Sequence, residues 1–503
     1  MSLRLRIAEH TNPILIKEVR QAVRGRFFRV CFLLTLAVAL FAAISMMPML
    51  SERPHQRTEN GPQFFFVFHL IFMGAAFLMV PMQANRSMAS ERDDKTFDAL
   101  ITSGLKPAQI ILGKWLSSGM LLLLFLSAFA PFLAISFTLF GLDVLVSAVF
   151  LAFTLSISMS LNLAGIFAAC VGKSRAFQTM LLALLALCGL LSLAIWGTVN
   201  ASALFESSGA FFWIFGVEDF LLPAGLTLLA LGILNYWLYG ACIATITHRE
   251  ENGLLRMRWA CLLMSVVSAI TIFMLWTSHV DISITGQHTV MAYVILAFLN
   301  VPLLTESDYI GVRCRHQIQS GKWQRPFAWM FLPGGTSAVP LYLLQLGLVS
   351  IPLLVAFNAS YSRGGLSLPA IGLGLSIALT LFPSSFLVAP RVKPARRVLA
   401  RILIPMSPIL IALLTTLLGV LLRIPEWSNM RTSLNPFYAL AVHDSRFSQE
   451  HSGGFIMWWL LAIGCVGWRG VSALDRRRKI RQLAASSNAS RTPESETAVV
   501  QED

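Results

Sequence analysis

Twelve apolar runs, each long enough or nearly so to cross about 30 Å of hydrocarbon as a helix of about 20 residues, dominate the chain and leave no stretch between them long enough for a further domain. They lie near 29–48, 63–82, 115–139, 144–171, 177–198, 220–246, 259–280, 289–304, 335–357, 367–389, 402–422 and 455–470. With 56% hydrophobic and 13% charged residues over 503 positions, the chain carries more apolar surface than one soluble core can hide. The expectation is an all-α integral membrane protein of about twelve transmembrane helices.

Lysine and arginine set the orientation, because short cytoplasmic loops keep them and translocated ones shed them. With both N- and C-termini cytoplasmic, 33 of the 39 basic residues fall inside. The outer loops hold only Arg53, Arg57, Arg363, Arg423, Arg431 and Arg446. The net charge of +14 follows from this topology. Its basic residues are scattered over loop ends, with no aromatic-interleaved patch of the kind that binds nucleic acid, so no nucleic-acid partner is expected.

The most informative connection is Glu91-Arg92-Asp93-Asp94-Lys95-Thr96-Phe97-Asp98-Ala99-Leu100-Ile101. Ser90 and Asp93 have capping-box spacing, which predicts a helix starting at Glu91 with Phe97, Leu100 and Ile101 on one face. Gly104 ends it. Pro107 then suits the first turn of a helix that runs through Ile110, Ile111 and Gly113-Lys114 into the third span. These residues resemble the first cytoplasmic loop of ABC-2 type permeases, the membrane subunits of ATP-binding-cassette exporters. The resemblance implies a coupling helix docking on an ATPase, carried by Glu91, Arg92, Asp94, Thr96, Phe97, Leu100, Ile101, Gly104, Pro107, Gly113 and Lys114.

Near the N-terminus, Asn12 can cap a helix with Pro13 at its first position. Leu15, Ile16, Val19, Ala22 and Val23 make its apolar face, while Lys17, Arg20 and Arg24 make the basic one. Such a helix lies flat at a membrane surface. No signal-peptide cleavage site follows. The stretch from Pro13 to Arg26 resembles the interfacial elbow helix that precedes the first span in the same family, with a topogenic basic flank as the plainer alternative.

Between the fifth and sixth spans, Ala201 to Asp219 is too apolar for a solvated loop, with Phe205, Phe211, Phe212 and Trp213 prominent. ABC-2 permeases carry re-entrant outer helices at that place; an interfacial aromatic belt is the alternative. The resemblance therefore covers residues 1–250. The expected division is an elbow over 1–28, a six-helix permease-like region over 29–250, a second six-helix region over 251–481, and a disordered tail over 482–503. The second region reads as a degenerate repeat or none: Glu306-Ser307-Asp308 follows the eighth span much as Glu91-Arg92-Asp93 follows the second, but the Thr, Leu, Pro and Gly-Lys landmarks are missing. One chain then supplies both membrane halves, or it pairs as a homodimer or with a second permease.

No residues for catalysis, cofactor or metal binding stand out. Gly172-Lys173-Ser174 lacks the earlier glycine of a P-loop, since Phe167 stands there, so the resemblance implies that ATP is bound and hydrolysed on a separate subunit. The seven cysteines are isolated, and His69, Asn162, Asn235 and Asn300 read as interhelical hydrogen-bonding groups. Ionisable groups cluster at span ends, such as Asp143, Glu218, Asp219, Glu250 and Glu251, which disfavours a proton- or sodium-driven carrier. A twelve-helix ion-coupled carrier and a non-transporting membrane scaffold are the alternatives to an ABC permease in the cell membrane.

Overall fold

The computed structural model describes residues 13–47, 60–93, 106–138, 144–172, 175–206, 217–247, 251–277, 282–311, 314 and 328–360, with a few helical positions from 464 onward that include 474–480. The described residues are helical and contain no strand. Eight helices among them are long and apolar enough to cross a membrane, and Met291–Leu304 is a shorter apolar helix. The tenth and eleventh runs of the sequence lie outside the described residues, as does the twelfth apart from Gly464 and Gly467. Packing divides the chain into Met1–Thr247 and His248–Asp503.

In the first unit, α1 (Pro13–Arg24) starts at the proline whose missing N–H costs nothing at a helix start. It ends at Gly25, whose extended backbone (φ −63°, ψ 136°) turns the chain into α2 (Arg26–Ser45). The second span is three pieces of one rod: α3 (Asn60–Gly74), a π-helical turn (Ala75–Met79) and α4 (Val80–Asp93). There follow α5 (Pro107–Thr138), α6 (Val144–Val171), α7 (Arg175–Ala201), which runs on into a π-helical turn (Ser202–Glu206), and α8 (Val217–Ile246).

Two clusters hold this unit together. The larger is aromatic, with Phe64, Phe68 and Phe72 of α3 meeting Phe28 of α2 and Phe125 and Phe129 of α5. The smaller joins Met88 of α4, Ile111 of α5, Ile166 of α6 and Cys242 of α8. Helices approach closely where side chains vanish: a Cβ on Gly189 of α7 would stand 2.5 Å from the Phe77 carbonyl oxygen, and one on Gly165 of α6 would stand 2.6 Å from that of Pro81. At the π turn, the Ser158 hydroxyl of α6 donates to the Ala76 carbonyl at 2.7 Å.

In the second unit, α9 (Leu255–Thr277), α10 (Ile282–Leu304) and α11 (Gly335–Ser360) pack on one another, with a 3₁₀ turn (Ala328–Phe331) preceding α11.

Candidate functional site

The 94–105 connection lies outside the described residues, and with it Asp94, Thr96, Phe97, Leu100, Ile101 and Gly104. Its two ends are described. The expected helix start at Glu91 is not there: α4 runs unbroken to Asp93, so Glu91 and Arg92 form its last turn. Ser90 explains the difference, since its hydroxyl donates back to the Ser87 carbonyl at 3.2 Å, the helix-interior pattern that competes with capping. At the other end, α5 does begin at Pro107, and the Gln109 side chain accepts from the Lys106 N–H at 3.1 Å, half of a capping box.

Lys114 joins these ends. Its buried ammonium donates to Glu18 Oε1 of α1 at 2.9 Å and to Ser87 Oγ at 3.0 Å, and stands in ion-pair contact with Glu91 Oε2 at 2.9 Å. Ser87 Oγ in turn donates to Glu18 Oε2 at 2.7 Å, closing a ring of Lys114, Ser87 and Glu18, and Lys114 Nζ also reaches the Ser87 carbonyl at 3.4 Å. Lys17 stands 3.5 Å from Glu91 at the exposed rim. Burial alone would raise the Glu18 carboxyl, but the Lys114 ammonium, the Ser87 hydroxyl and Lys17 outweigh it and hold the acid below its ordinary range. Two carboxylates and two ammoniums balance, which is what makes such burial tolerable.

Glu18 is the residue that reading the sequence missed. It lies on the inner side of α1, beside the half-buried Leu15, Val19 and Ala22, and that side packs on α5. An acid on the apolar face of a basic helix was the available signal. Of the expected elbow residues, Pro13 opens α1, Val19 is half-buried, and Lys17, Arg20 and Arg24 are exposed; Ile16 and Val23, expected on the apolar face, are exposed as well.

Arg92 Nη1 donates to the carbonyls of Ala169 at 2.7 Å and Gly172 at 3.3 Å, placing a cation at the C-terminal end of α6 where the helix dipole favours it. Asn85 Nδ2 donates to the Gly165 carbonyl at 2.9 Å, and Tyr239 ties α8 to the Ala108 carbonyl at the start of α5. Gly113 is buried. α1, α4, α5, α6 and α8 are thus fixed to one another around the connection.

Of the outer segment, Phe205 lies in the π-helical turn that prolongs α7, edge-on to Phe66 at 5.5 Å. Phe211, Phe212 and Trp213 lie outside the described residues. His69 is an interhelical hydrogen-bonding group: its Nε2 meets Thr154 Oγ1 at 2.9 Å, as does Trp196 Nε1. Because the Thr154 hydroxyl donates to the Phe150 carbonyl, His69 must be the donor through Nε2. Asn300 bonds Gln345 at 2.7 Å in the second unit.

The second unit has its own buried ionic group. Arg258 of α9 donates to Glu306 Oε2 at 2.7 Å and to the Gly334 carbonyl at 2.9 Å, while Glu306 accepts the Gly334 N–H. Asp308 accepts from the Thr336 N–H and hydroxyl and from Arg476 Nη1, while Arg476 Nη2 donates to the Pro333 carbonyl. Gly334 has φ +125° and its Cα lies against the Arg476 guanidinium, so both backbone and space require glycine there. Among the described residues no group of three or more His, Cys, Asp and Glu side chains is placed to hold a metal. Comparison with known families, curated proteins and solved structures finds no match to the chain.

Proposed function

We propose that the chain is the membrane-spanning permease subunit of an ABC transporter, an exporter that moves its substrate when a separate ATPase subunit binds and hydrolyses ATP. In this reading it crosses the cell membrane twelve times with both termini in the cytoplasm, and the 94–105 connection is the coupling element. The observation that carries the proposal is the Lys114 node. One ammonium bonds the last turn of the second span through Glu91 and the elbow through Glu18, while itself sitting near the start of the third span. A push on the connection would therefore move two spans and the elbow as one piece.

The docking face would be Phe97 with Leu100 and Ile101, taken from the resemblance of the loop. Changing Phe97 and Leu100 together to Ala removes two apolar side chains from that contact, a loss of a few kcal/mol and a weakening of roughly a hundredfold. The variant inserts normally, no longer co-purifies with its ATPase subunit, and gives no transport-stimulated hydrolysis. Full partner binding and stimulated hydrolysis by that variant would sink the proposal.

A further inference from the structure

Outside the Lys114 node, α1 carries a second feature that the node does not use. Ile16, Lys17, Arg20, Gln21, Arg24 and Gly25 line an open groove along the side of the helix turned away from α5. Lys17 has Glu91 as a partner, and Glu18 is buried with Lys114. Arg20 and Arg24, one helical turn apart, have no carboxylate partner among the described residues, and neither do Arg26 and Arg29, which are exposed just beyond.

Cations alone would suit any anion. This groove also has an apolar wall in Ile16, 44% exposed, and Val23 elsewhere on the same helix is 36% exposed, although α1 has a protein-facing side available to bury them. From the Gly25 bend the apolar exposure continues along α2 through Val30, Leu33, Leu34, Val38 and Phe41. A helix with guanidiniums beside exposed aliphatic side chains, followed at once by an apolar span, matches a ligand that is anionic at one end and hydrocarbon at the other.

We propose that Arg20 and Arg24 hold the phosphate of one anionic phospholipid, with Ile16 against its glycerol region and an acyl chain along the exposed face of α2. Two guanidiniums at one-turn spacing offer paired N–H donors to the phosphate oxygens, a geometry that lysine does not reproduce. The site rests on the membrane character of the chain and is independent of the permease reading.

The test uses the full chain in neutral detergent, titrated with phosphatidylglycerol, phosphatidylcholine or inorganic phosphate, with bound lipid counted by native mass spectrometry. Phosphatidylglycerol saturates one tight site, phosphatidylcholine does not, and millimolar phosphate fails to displace the lipid. Arg20→Gln with Arg24→Gln weakens that site about 30-fold, from roughly 1 kcal/mol per basic residue. Arg478→Gln, at an exposed cation elsewhere, leaves it unchanged. Ile16→Ser, which keeps both cations, also weakens it and so reads the site even if the arginine pair inserts poorly. Equal retention of the two lipids, displacement by phosphate, or unaltered binding in the arginine pair or in Ile16→Ser would overturn the proposal.

Discussion

Lys114 and Glu18 stand 96 positions apart in the chain and 2.9 Å apart in the fold, both buried, with Glu91 closing on the same ammonium from a third helix. A buried pair of this kind contributes little compared with a well-packed apolar replacement, yet removing one member leaves an uncompensated charge.

Removing the cation alone and neutralising all three groups together therefore have different effects. Lys114→Met takes the buried cation from Glu18 and leaves Glu91 with only the exposed Lys17, and should destabilise the chain by about 3–5 kcal/mol. Combining it with Glu18→Gln and Glu91→Gln should recover most of that loss, because no buried charge remains. Chemical denaturation in detergent compares Lys114→Met, the Glu18→Gln/Glu91→Gln pair and the triple variant with wild type; losses that simply add would show the groups do not interact.

Acid should undo the elbow. The Glu18 carboxyl is held below its ordinary value of 4.5, so its stabilisation is complete above that pH and disappears as the pH falls through the lower folded value. Melting curves of wild type and Glu18→Gln, recorded from about pH 7 down to pH 3, should converge only at the acid end. Convergence near neutrality would contradict the depressed pKa.

Close helix contact makes two glycines sensitive. Gly189→Ala drives a methyl to 2.5 Å from the Phe77 carbonyl oxygen and Gly165→Ala to 2.6 Å from that of Pro81, each at a cost of about 1–3 kcal/mol. Gly232 of α8 has open space around the same position, so Gly232→Ala should be neutral or gain up to about 1 kcal/mol from helix propensity. Thermal stability of the three variants in one detergent decides it.

Topology is open to direct labelling. Single cysteines at Ser51, Gln287 and Ser448, in a background without native cysteine, should react with an impermeant thiol reagent from outside, and cysteines at Asp94 and Gln482 should not. External labelling at Asp94 would invert the orientation deduced from the basic loops.

Much of the frame was legible from local pattern. Pro13 and Pro107 mark helix starts by backbone chemistry that needs no partner, and the apolar runs fix where long helices lie. The site was legible only at its edges. Ser90 and Asp93 have the spacing of a cap, but a helix already running from Val80 carries them inside it, and the serine bonds backward. The partners of Lys114 and of Arg258 come from distant helices, and pairing across 96 or 48 positions leaves no periodic trace. Only the odd placement of Glu18, an acid among the apolar positions of a basic helix, pointed to it.

The π turn at Ala75–Met79 adds one residue to the second span, and one residue is about 100° of rotation. Before it, Phe64, Phe68 and Phe72 point into the ring cluster; after it, Asn85, Glu91 and Arg92 point at α6 and Lys114. An uninterrupted α-helix would aim one of these two sets away from its neighbours. The surplus residue thus works as a phase adjuster between an apolar half and an ionic half that answer to different partners. Straightening the turn would swing the ionic half out of alignment in a single movement, releasing Lys114, the α6 terminus and the elbow together while the aromatic half stayed packed.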